Sequence, residues 1–429
     1  MFKASFNPAS PNVTLESILP DLDHLAVQSG LIVRQTRKFS AQGFLLTLLK
    51  AVSTGHASFG QMAAYLEQSE ARSLSRQALH QRMNPPVVAF LQSVLRRVMD
   101  SSVRTAEEDG DFPFHRILLE DATQFRMHPK NHPSFRAVAN NSGATAGAKV
   151  DVVMDLISGH LLMQREVEGH VQDRTLGPGL LPMVEQDDLV LRDMGYFDIA
   201  AFAEIEARQA FWLSRLHGQA SVVLEDGRAL EKRLAETKAG ALELKVTLTQ
   251  RAHPARLIAV RASPEVAARR RQVKKDKRKR NGTKPSKQAL AREDWNILVT
   301  NIPVEKCSAD ELVRLYRQRW QIEIHFRAWK QSLHMHKALH RITNRTHLHA
   351  LILAAMIFSA VAVQIKGLIV KQQPWIQTSV EKLFGWLSIR LRILQTLWSE
   401  LPFDPRQFHR CKRKRKSLKQ QGYRFRPLN

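Results

Sequence analysis

Four polar residues between positions 316 and 332 share one side of a predicted helix. They are Tyr316, Arg319, Glu323 and Lys330. With an advance of about 100° per residue, all four fall within about 60° of arc. A separate apolar stripe lies about 100° away, so the helix is predicted to bury one face and to present the polar side chains along its flank. The alternative is a solvent-facing helix that an Arg319–Glu323 pair at i,i+4 spacing stabilises, although tyrosine is an unusual residue for such a stripe.

The spacing Y-x2-R-x3-E-x6-K resembles the signature of the bacterial insertion-sequence DDE transposases, the cut-and-paste family with the YREK motif. This resemblance implies two aspartates upstream of Glu323, each at the end of a strand in a ribonuclease H-like sheet. The stretches RILLEDATQF and DLVLRDMGYFD resemble the family's two blocks, because each is an apolar run that ends in an aspartate, Asp121 or Asp193. The stretch WNILVTNIP resembles the family's last strand.

The resemblance implies a metal site formed by Asp121, Asp193 and Glu323. Three converging carboxylates suit Mg²⁺, which prefers hard oxygen ligands, with Mn²⁺ as a substitute. Two such ions per active site can serve in-line displacement at a phosphate, both for cleavage by water and for attack by a 3′ hydroxyl. Other acids compete for these roles: Glu120, Asp151, Asp155, Asp187 and Asp188. Alternation along a strand is expected to point Glu120 to the face opposite Asp121.

The same resemblance assigns DNA-binding roles to four residues. Tyr316, Arg319 and Lys330 are expected to hold phosphates of the transposon end beside the metal ions. Arg319 suits forked contacts with phosphate. Trp295, at the start of the last strand, stands where family members place an aromatic that stacks on a flipped base. Packing within a strand or the core is the alternative interpretation of Trp295.

The elements that must position these residues predict an α/β fold. We expect a ribonuclease H-like mixed sheet core with a β-rich insertion, flanked by helical N- and C-terminal regions. The predicted parts are 1–110, helical and binding the transposon end; 111–219, the first part of the core; 220–302, the β-rich insertion with a basic loop; 303–345, the Glu323 helix that completes the core; and 346–429, a helical region with a basic tail, predicted to dimerise.

Two short helices in the N-terminal region resemble a helix-turn-helix. The first is predicted to begin after Ser58 and the second after Ser73 or Ser75, since serine is a favourable N-cap. The second carries several polar and basic side chains, including Arg76 and Arg82. A pair of packed amphipathic helices with polar outer faces is the alternative.

The overall charge points to a polyanionic partner. Lys and Arg number 65 against 40 Asp and Glu, which gives +25 and a pI near 10.5. Nucleic acid is the default partner for such a chain, although a ribosomal or heparin-binding protein has the same balance. Part of the charge lies in the run 269–280, whose single acid is Asp276. We interpret this run as a mobile loop that would clamp phosphates beside a nucleic acid.

Cysteine usage and hydropathy indicate a cytoplasmic protein associated with nucleoid DNA. Two cysteines are too few for a disulfide framework or a cysteine-rich zinc site. The most apolar stretch, 350–365, is shorter than the roughly 20 residues that a membrane-spanning helix needs. It is therefore predicted to be a buried helix.

The sequence thus predicts a DNA transposase that cleaves transposon ends and transfers strands to target DNA. Its expected partners are double-stranded DNA with terminal inverted repeats, target DNA and a second copy of the chain in the DNA complex. Two alternatives stay open. One is a transposase-derived, non-catalytic DNA-binding regulator, and the other is a basic nuclease of the same fold without strand transfer.

Overall fold

The chain forms two compact units in a computed structural model. The described residues are 19, 21–34, 39–70, 74–100, 112–138, 145–249, 252–340, 342–372 and 379–393. As far as they are described, unit 1 comprises Met1–Asp109, Ala122–Val171 and Gln321–Lys412, and unit 2 comprises Gly110–Asp121, Gln172–Trp320 and Arg413–Asn429. Residues 394–429, which include the predicted basic tail, lie outside the described residues.

Among the described residues, nine strands pair in one mixed sheet. They are β1 (Ile117–Arg126), β2 (Gly147–Asp155), β3 (Leu161–Glu168), β4 (Leu189–Arg192), β5 (Phe211–Arg215), β6 (Val222–Leu224), β7 (Ala241–Leu248), β8 (His253–Arg261) and β9 (Trp295–Thr300). Their order is β3-β2-β1-β4-β5-β9-β8-β7-β6. Strand β4 is parallel to both β1 and β5, whereas β2 and β3 are antiparallel. The order 3-2-1-4-5 with these directions is ribonuclease H-like, so the predicted fold class is confirmed.

Fifteen helices are described. In unit 1 they are α1 (Leu22–Gln28), α2 (Ala41–Thr54), α3 (Phe59–Glu70), α4 (Arg76–Arg82), α5 (Pro85–Asp100), α12 (Gln321–Gln331), α13 (Met335–Leu339), α14 (Arg345–Gln372) and α15 (Val380–Ile393). In unit 2 they are α6 (Asp173–Leu176), α7 (Ile199–Glu206), α8 (Leu230–Glu236), α9 (Pro264–Arg280), α10 (Lys287–Ala291) and α11 (Ala309–Gln318).

The β-rich insertion continues the sheet of unit 2. Strand β9 pairs antiparallel with β5 on one side and with β8 on the other, and β7 and β6 follow outward. The strands predicted to form an insertion thus join the ribonuclease H-like sheet, because β9 is hydrogen-bonded to β5. Strand β5 and the four strands of the insertion therefore form one continuous layer.

The basic run 269–280 is helical, so the predicted loop is wrong. It forms most of α9, which begins after the N-cap Ser263 with Pro264 in its first turn. Lys and Arg have high helix propensity, and a proline at the first helical position is favourable. Cations in the last turn also interact favourably with the helix dipole. These local preferences outweigh the repulsion among the like charges.

Helix α14 forms the centre of unit 1. It is longer than the apolar stretch 350–365 and packs against α2, α5 and α15. Among the described residues it is the one helix long and apolar enough to cross a membrane, with a mean hydropathy of 2.2, and 89% of that stretch is buried inside the protein. Burial of this kind is typical of a core helix, as the sequence predicted.

Candidate active site

Asp121 and Asp193 lie side by side on neighbouring parallel strands. In the register of β1 and β4, Glu120 pairs with Arg192, so the two aspartates occupy the next position on each chain. Equivalent positions of parallel neighbours point to the same face, and such strands lie about 4.8 Å apart. Asp193 directly follows β4, as predicted. Asp121 lies in the middle of β1, which continues to Arg126, so its predicted place at a strand end is wrong.

The opposite face of these strands carries a buried ion pair. Arg192 Nε lies 2.8 Å from Glu120 Oε2, and both side chains are fully buried. Arg192 Nη2 also donates to the Gly177 carbonyl at 2.6 Å. Alternation along β1 therefore excludes Glu120 from the face of Asp121, as the sequence predicted. The pair joins β1 to β4 at the position just before the two aspartates.

Two predicted site residues on or beside α11 face the aspartates. Arg319 Nη1 donates to Asp121 Oδ2 at 2.9 Å. Tyr316 makes a long hydrogen bond of 3.4 Å from its hydroxyl to the Arg192 carbonyl. Burial, followed by the charge of Asp193, raises the pKa of Tyr316 above its ordinary value. The phenol therefore stays neutral near pH 7 and keeps its proton for donation.

Helix α11 is fixed by a capping box but ends earlier than predicted. The Ser308 side chain accepts from the Glu311 amide, and Glu311 reaches back to Ser308. The helix ends at Gln318 and α12 begins at Gln321, so the single helix expected over 316–332 is wrong. The Arg319 amide bonds to the Tyr316 carbonyl, three residues back. Such a tightened turn often closes a helix end.

Glu323 and Lys330 therefore belong to α12 and to unit 1. Helix α12 buries Ile322, Phe326 and Trp329, and Trp329 Nε1 donates to Ser359 Oγ at 2.9 Å. Lys330 Nζ lies 5.8 Å from the centroid of the Phe125 ring. The described residues contain no group of three or more His, Cys, Asp or Glu placed around one metal position. The convergence of Glu323 with the two aspartates stays a prediction.

Trp295 is packed rather than open. Its side chain is 3% exposed, and the Arg261 guanidinium lies 4.5 Å from the centroid of its ring. Cation–π contacts of this kind stabilise an aromatic ring in place. The arrangement matches the packing alternative considered for Trp295.

Arg215 completes the row of side chains and was missed by the sequence analysis. Arg192 of β4 pairs with Ser214 of β5, so Arg215 stands beside Asp193 at the next position. Among the described residues its side chain makes no hydrogen bond or ion pair, and its charge acts on Tyr316. The sequence signal for Arg215 was that the strand FWLSR ends in a cation, as the strand VLR is followed by Asp193.

The two N-terminal helices begin where the sequence predicted. Ser58 Oγ accepts from the Gln61 amide at the start of α3, and Ser75 Oγ accepts from the Ala78 amide at the start of α4. Helix α4 buries Leu79 and exposes Arg76, Gln77 and Gln81 among others. The two helices pack on each other. The DNA-binding role predicted for these two helices stays a prediction.

Neighbouring carboxylates on a ribonuclease H-like sheet, with cations beside them, define the class of metal-dependent enzymes that cut or transfer nucleic-acid strands. Residues 112–358 match the family model described as the transposase DDE domain, which covers more than half of the chain. The chain belongs to this family of DDE transposases. It is therefore an enzyme that acts on DNA and depends on divalent metal ions.

Two insertion-sequence transposases are similar to this chain over most of its length. The transposase for insertion sequence element IS231C of Bacillus thuringiensis subsp. berliner is 25% identical over 401 residues, covering 87% of this chain and 83% of that protein. The IS231D transposase of Bacillus thuringiensis subsp. finitimus is 27% identical over 342 residues, covering 74% and 71%. A cryo-EM structure of the piggyBac transposase synaptic complex with hairpin DNA has a TM-score of 0.42 at 12% identity, covering 88% of this chain and 79% of that one.

Proposed function

We propose that the protein carries out cut-and-paste transposition. It cleaves DNA at the terminal inverted repeats of a transposable element and joins the freed ends to target DNA. The observation that carries this proposal is the position of Asp121 and Asp193, each directly after a residue of the Glu120–Arg192 pair that ends the register of two parallel strands. Family membership supplies the reaction class, and the two neighbouring aspartates support this position as the site of the reaction.

Asp121, Asp193 and Glu323 are the proposed ligands of two Mg²⁺ ions, with Mn²⁺ as a substitute. The carboxylate oxygens fit the preference of these ions for hard ligands. The Asp121 carboxylate already accepts a cation, the Arg319 guanidinium, which supports its suitability for positive charge. Divalent ions held by these carboxylates would activate the attacking oxygen and would neutralise charge on the leaving oxygen of an in-line displacement.

Four side chains are proposed to hold DNA phosphates at this site. Arg319 presents a planar set of donors beside Asp121, and Tyr316 offers a neutral hydroxyl. Arg215 adds a cation beside Asp193, and Lys330 is assigned the same task by its motif position. Base stacking by Trp295 stays a prediction, and it requires the ring to leave its contact with Arg261.

Recognition and assembly follow from the reaction. We assign the reading of the terminal inverted repeats to α3 and α4, whose exposed polar face supports that role. Two ends must be cut and joined together, so we expect a homodimer in the DNA complex, formed by the C-terminal helical region. The basic chain, with its charge of +25, is expected in the cytoplasm on nucleoid DNA.

The test is strand cleavage on a linear DNA that carries both element ends. Asp121→Asn, Asp193→Asn and Glu323→Gln should each abolish Mg²⁺-dependent cleavage while end binding is retained, because each change removes one charged metal ligand. Asp187→Asn is the matched control. This aspartate has φ of 62°, which asparagine tolerates, and pairs with Lys306 away from the row of aspartates.

The outcomes separate the alternatives. Cleavage that survives in one variant removes that residue from the site. Cleavage without joined products indicates a nuclease, and binding without any cleavage by the unaltered protein indicates a regulator. Loss of all cleavage on chelation of divalent ions is expected for the unaltered protein.

A further inference from the structure

The second half of α9 is a cluster of exposed cations that the reaction site does not use. The cluster, here called the α9 tip, consists of Lys275, Lys277, Arg278, Lys279 and Arg280, all exposed. The described residues provide no ion pair for these five side chains. The one acid among them, Asp276, accepts a hydrogen bond from Gln272 on the same helix.

The first half of α9 is held firmly, in contrast to the tip. Arg270 Nη2 donates to Asn296 Oδ1 of β9 at 2.9 Å, and Arg271 forms an ion pair with Asp294. Lys274 Nζ contacts Glu293 Oε1 at 2.7 Å and the Ala289 carbonyl at 2.9 Å. The basic residues of one helix therefore divide into a paired root and an unpaired tip. Fixing the root positions the tip without using its charges.

The concentration of positive charge at the α9 tip favours the binding of a polyanion. Lys275 and Lys279 are spaced i,i+4, and Lys277 and Arg280 are spaced i,i+3, so like charges repel along the helix surface. The helix dipole offsets part of this repulsion at the C-terminal end. A row of phosphates would offset the rest and would release counterions on binding.

The root of α9 lies near the reaction site within unit 2. Burial and then the charge of Arg215 lower the pKa of Arg270, and the same Arg215 acts on Tyr316 beside Asp193. Arg270 also donates to Asn296 of β9, and β9 pairs with Arg215 at the end of β5, so the root of α9 lies near the end of the row of site residues. The helix rises about 1.5 Å per residue, so Arg280 stands about 15 Å beyond Arg270.

We propose that the α9 tip binds the phosphate backbone of duplex DNA outside the reaction centre, independently of base sequence. The inference rests on the proposed function for DNA as the partner. Lysine and arginine contacts with phosphates position a protein on a duplex but carry no sequence information. The α9 tip is expected to increase the affinity for any duplex DNA that extends beyond the reaction centre, whatever its sequence.

The test compares two variants with the same change in net charge. Lys275→Gln/Lys277→Gln/Lys279→Gln removes three tip cations and keeps helix propensity. The control, Lys232→Gln/Lys238→Gln/Lys245→Gln, removes three exposed lysines elsewhere in unit 2. The probe is a long mixed-sequence duplex, and its Kd is measured from about 50 to about 200 mM salt. Circular dichroism and Tm check that both variants fold.

The salt dependence of Kd should be weaker for the tip variant than for the unaltered protein, and the control should keep the salt dependence of the unaltered protein. With a slope of about 0.9 per phosphate contact, the unaltered protein should lose about 40-fold more affinity over this range than the tip variant. Equal slopes for tip and control variants would overturn the proposal. The proposal would also be overturned if the tip variant lost more affinity for single-stranded RNA of equal charge than for the duplex. Neither result touches the proposed function, because the carboxylate variants decide that function by cleavage.

Discussion

At the scale of single residues, the two aspartates are held in different ways. Asp193 caps the short turn Met194–Tyr196, with Oδ1 accepting from the Met194 amide at 2.7 Å. Asp121 is held by its place inside β1 and by the Arg319 guanidinium. This capping hydrogen bond holds one oxygen of the Asp193 carboxylate and so fixes the orientation of the whole carboxylate. Asp193 can therefore cap the turn and also serve in the proposed catalytic role.

Arg215 provides the sharpest test at this scale. Arg215→Ala should lower the single-turnover rate of end cleavage about 10²-fold, because it removes a preorganised cation beside Asp193. The control is Arg208→Ala, since Arg208 is paired with Glu204 on the exposed flank of α7. Equal cleavage rates in the two variants would remove Arg215 from the site.

At the scale of elements, the pairing of β1 with β4 determines whether the site exists. The Glu120–Arg192 pair crosses these strands on the face opposite the aspartates, and both side chains are fully buried. A shift of one residue in the register would point the aspartates to different faces. The buried pair therefore acts on the site by holding the strands in register.

We expect Glu120→Gln to lower the free energy of unfolding by about 3 kcal/mol, because it leaves Arg192 charged and buried without its counterion. Replacing both partners with methionine should recover most of that loss. Denaturant unfolding measures both effects.

Glu204→Gln is the matched control for the same chemical change at an exposed pair, and it should cost less than about 0.5 kcal/mol. The role assigned to the buried pair is contradicted if Glu120→Gln costs no more than this control.

At the scale of the whole molecule, unit 1 contains buried histidines that must stay neutral. Burial lowers the pKa of His160 to about 4, although Asp155 acts in the opposite direction. Burial, with a smaller contribution from His80, lowers the pKa of His347 to about 4. The ring of His347 stacks on Phe59 with centroids 4.6 Å apart. Protonation of His347 places an uncompensated charge in the core, and protonation of His160 places there a charge that Asp155 compensates only in part.

Acid should therefore destabilise unit 1. The folded-state pKa lies below the ordinary value of 6.5, so the unfolded chain binds more protons between pH 6.5 and 4. Stability is complete above about pH 6.5 and falls as the pH drops toward 4. Each histidine should contribute a loss of about 2 kcal/mol between about pH 7 and pH 4.5.

Denaturant unfolding across this pH range tests the expectation. His347→Gln should flatten the pH dependence by the contribution of one group, whatever its effect on stability at neutral pH. His56→Gln, at an exposed position, should leave the slope as it is. A slope that His347→Gln does not reduce would show that His347 titrates normally in the folded protein.

The sequence by itself determined the local features of this protein. The serine caps of α3 and α4, the apolar strands that carry Asp121 and Asp193, and the buried course of α14 all depend on residues close together in the chain. Periodicity, capping and propensity act over a few residues, so a single sequence contains their signals. The motif spacing pointed to the same family that the comparisons show.

Tertiary structure decided which residues meet. Arg319, which donates to Asp121, lies 198 positions away in the chain, and Arg215 stands beside Asp193 only because of the register of β4 and β5. The break between α11 and α12 and the packed state of Trp295 carry no glycine or proline signal. Strand register, helix ends and burial are set by packing between distant segments, and no local pattern encodes that packing.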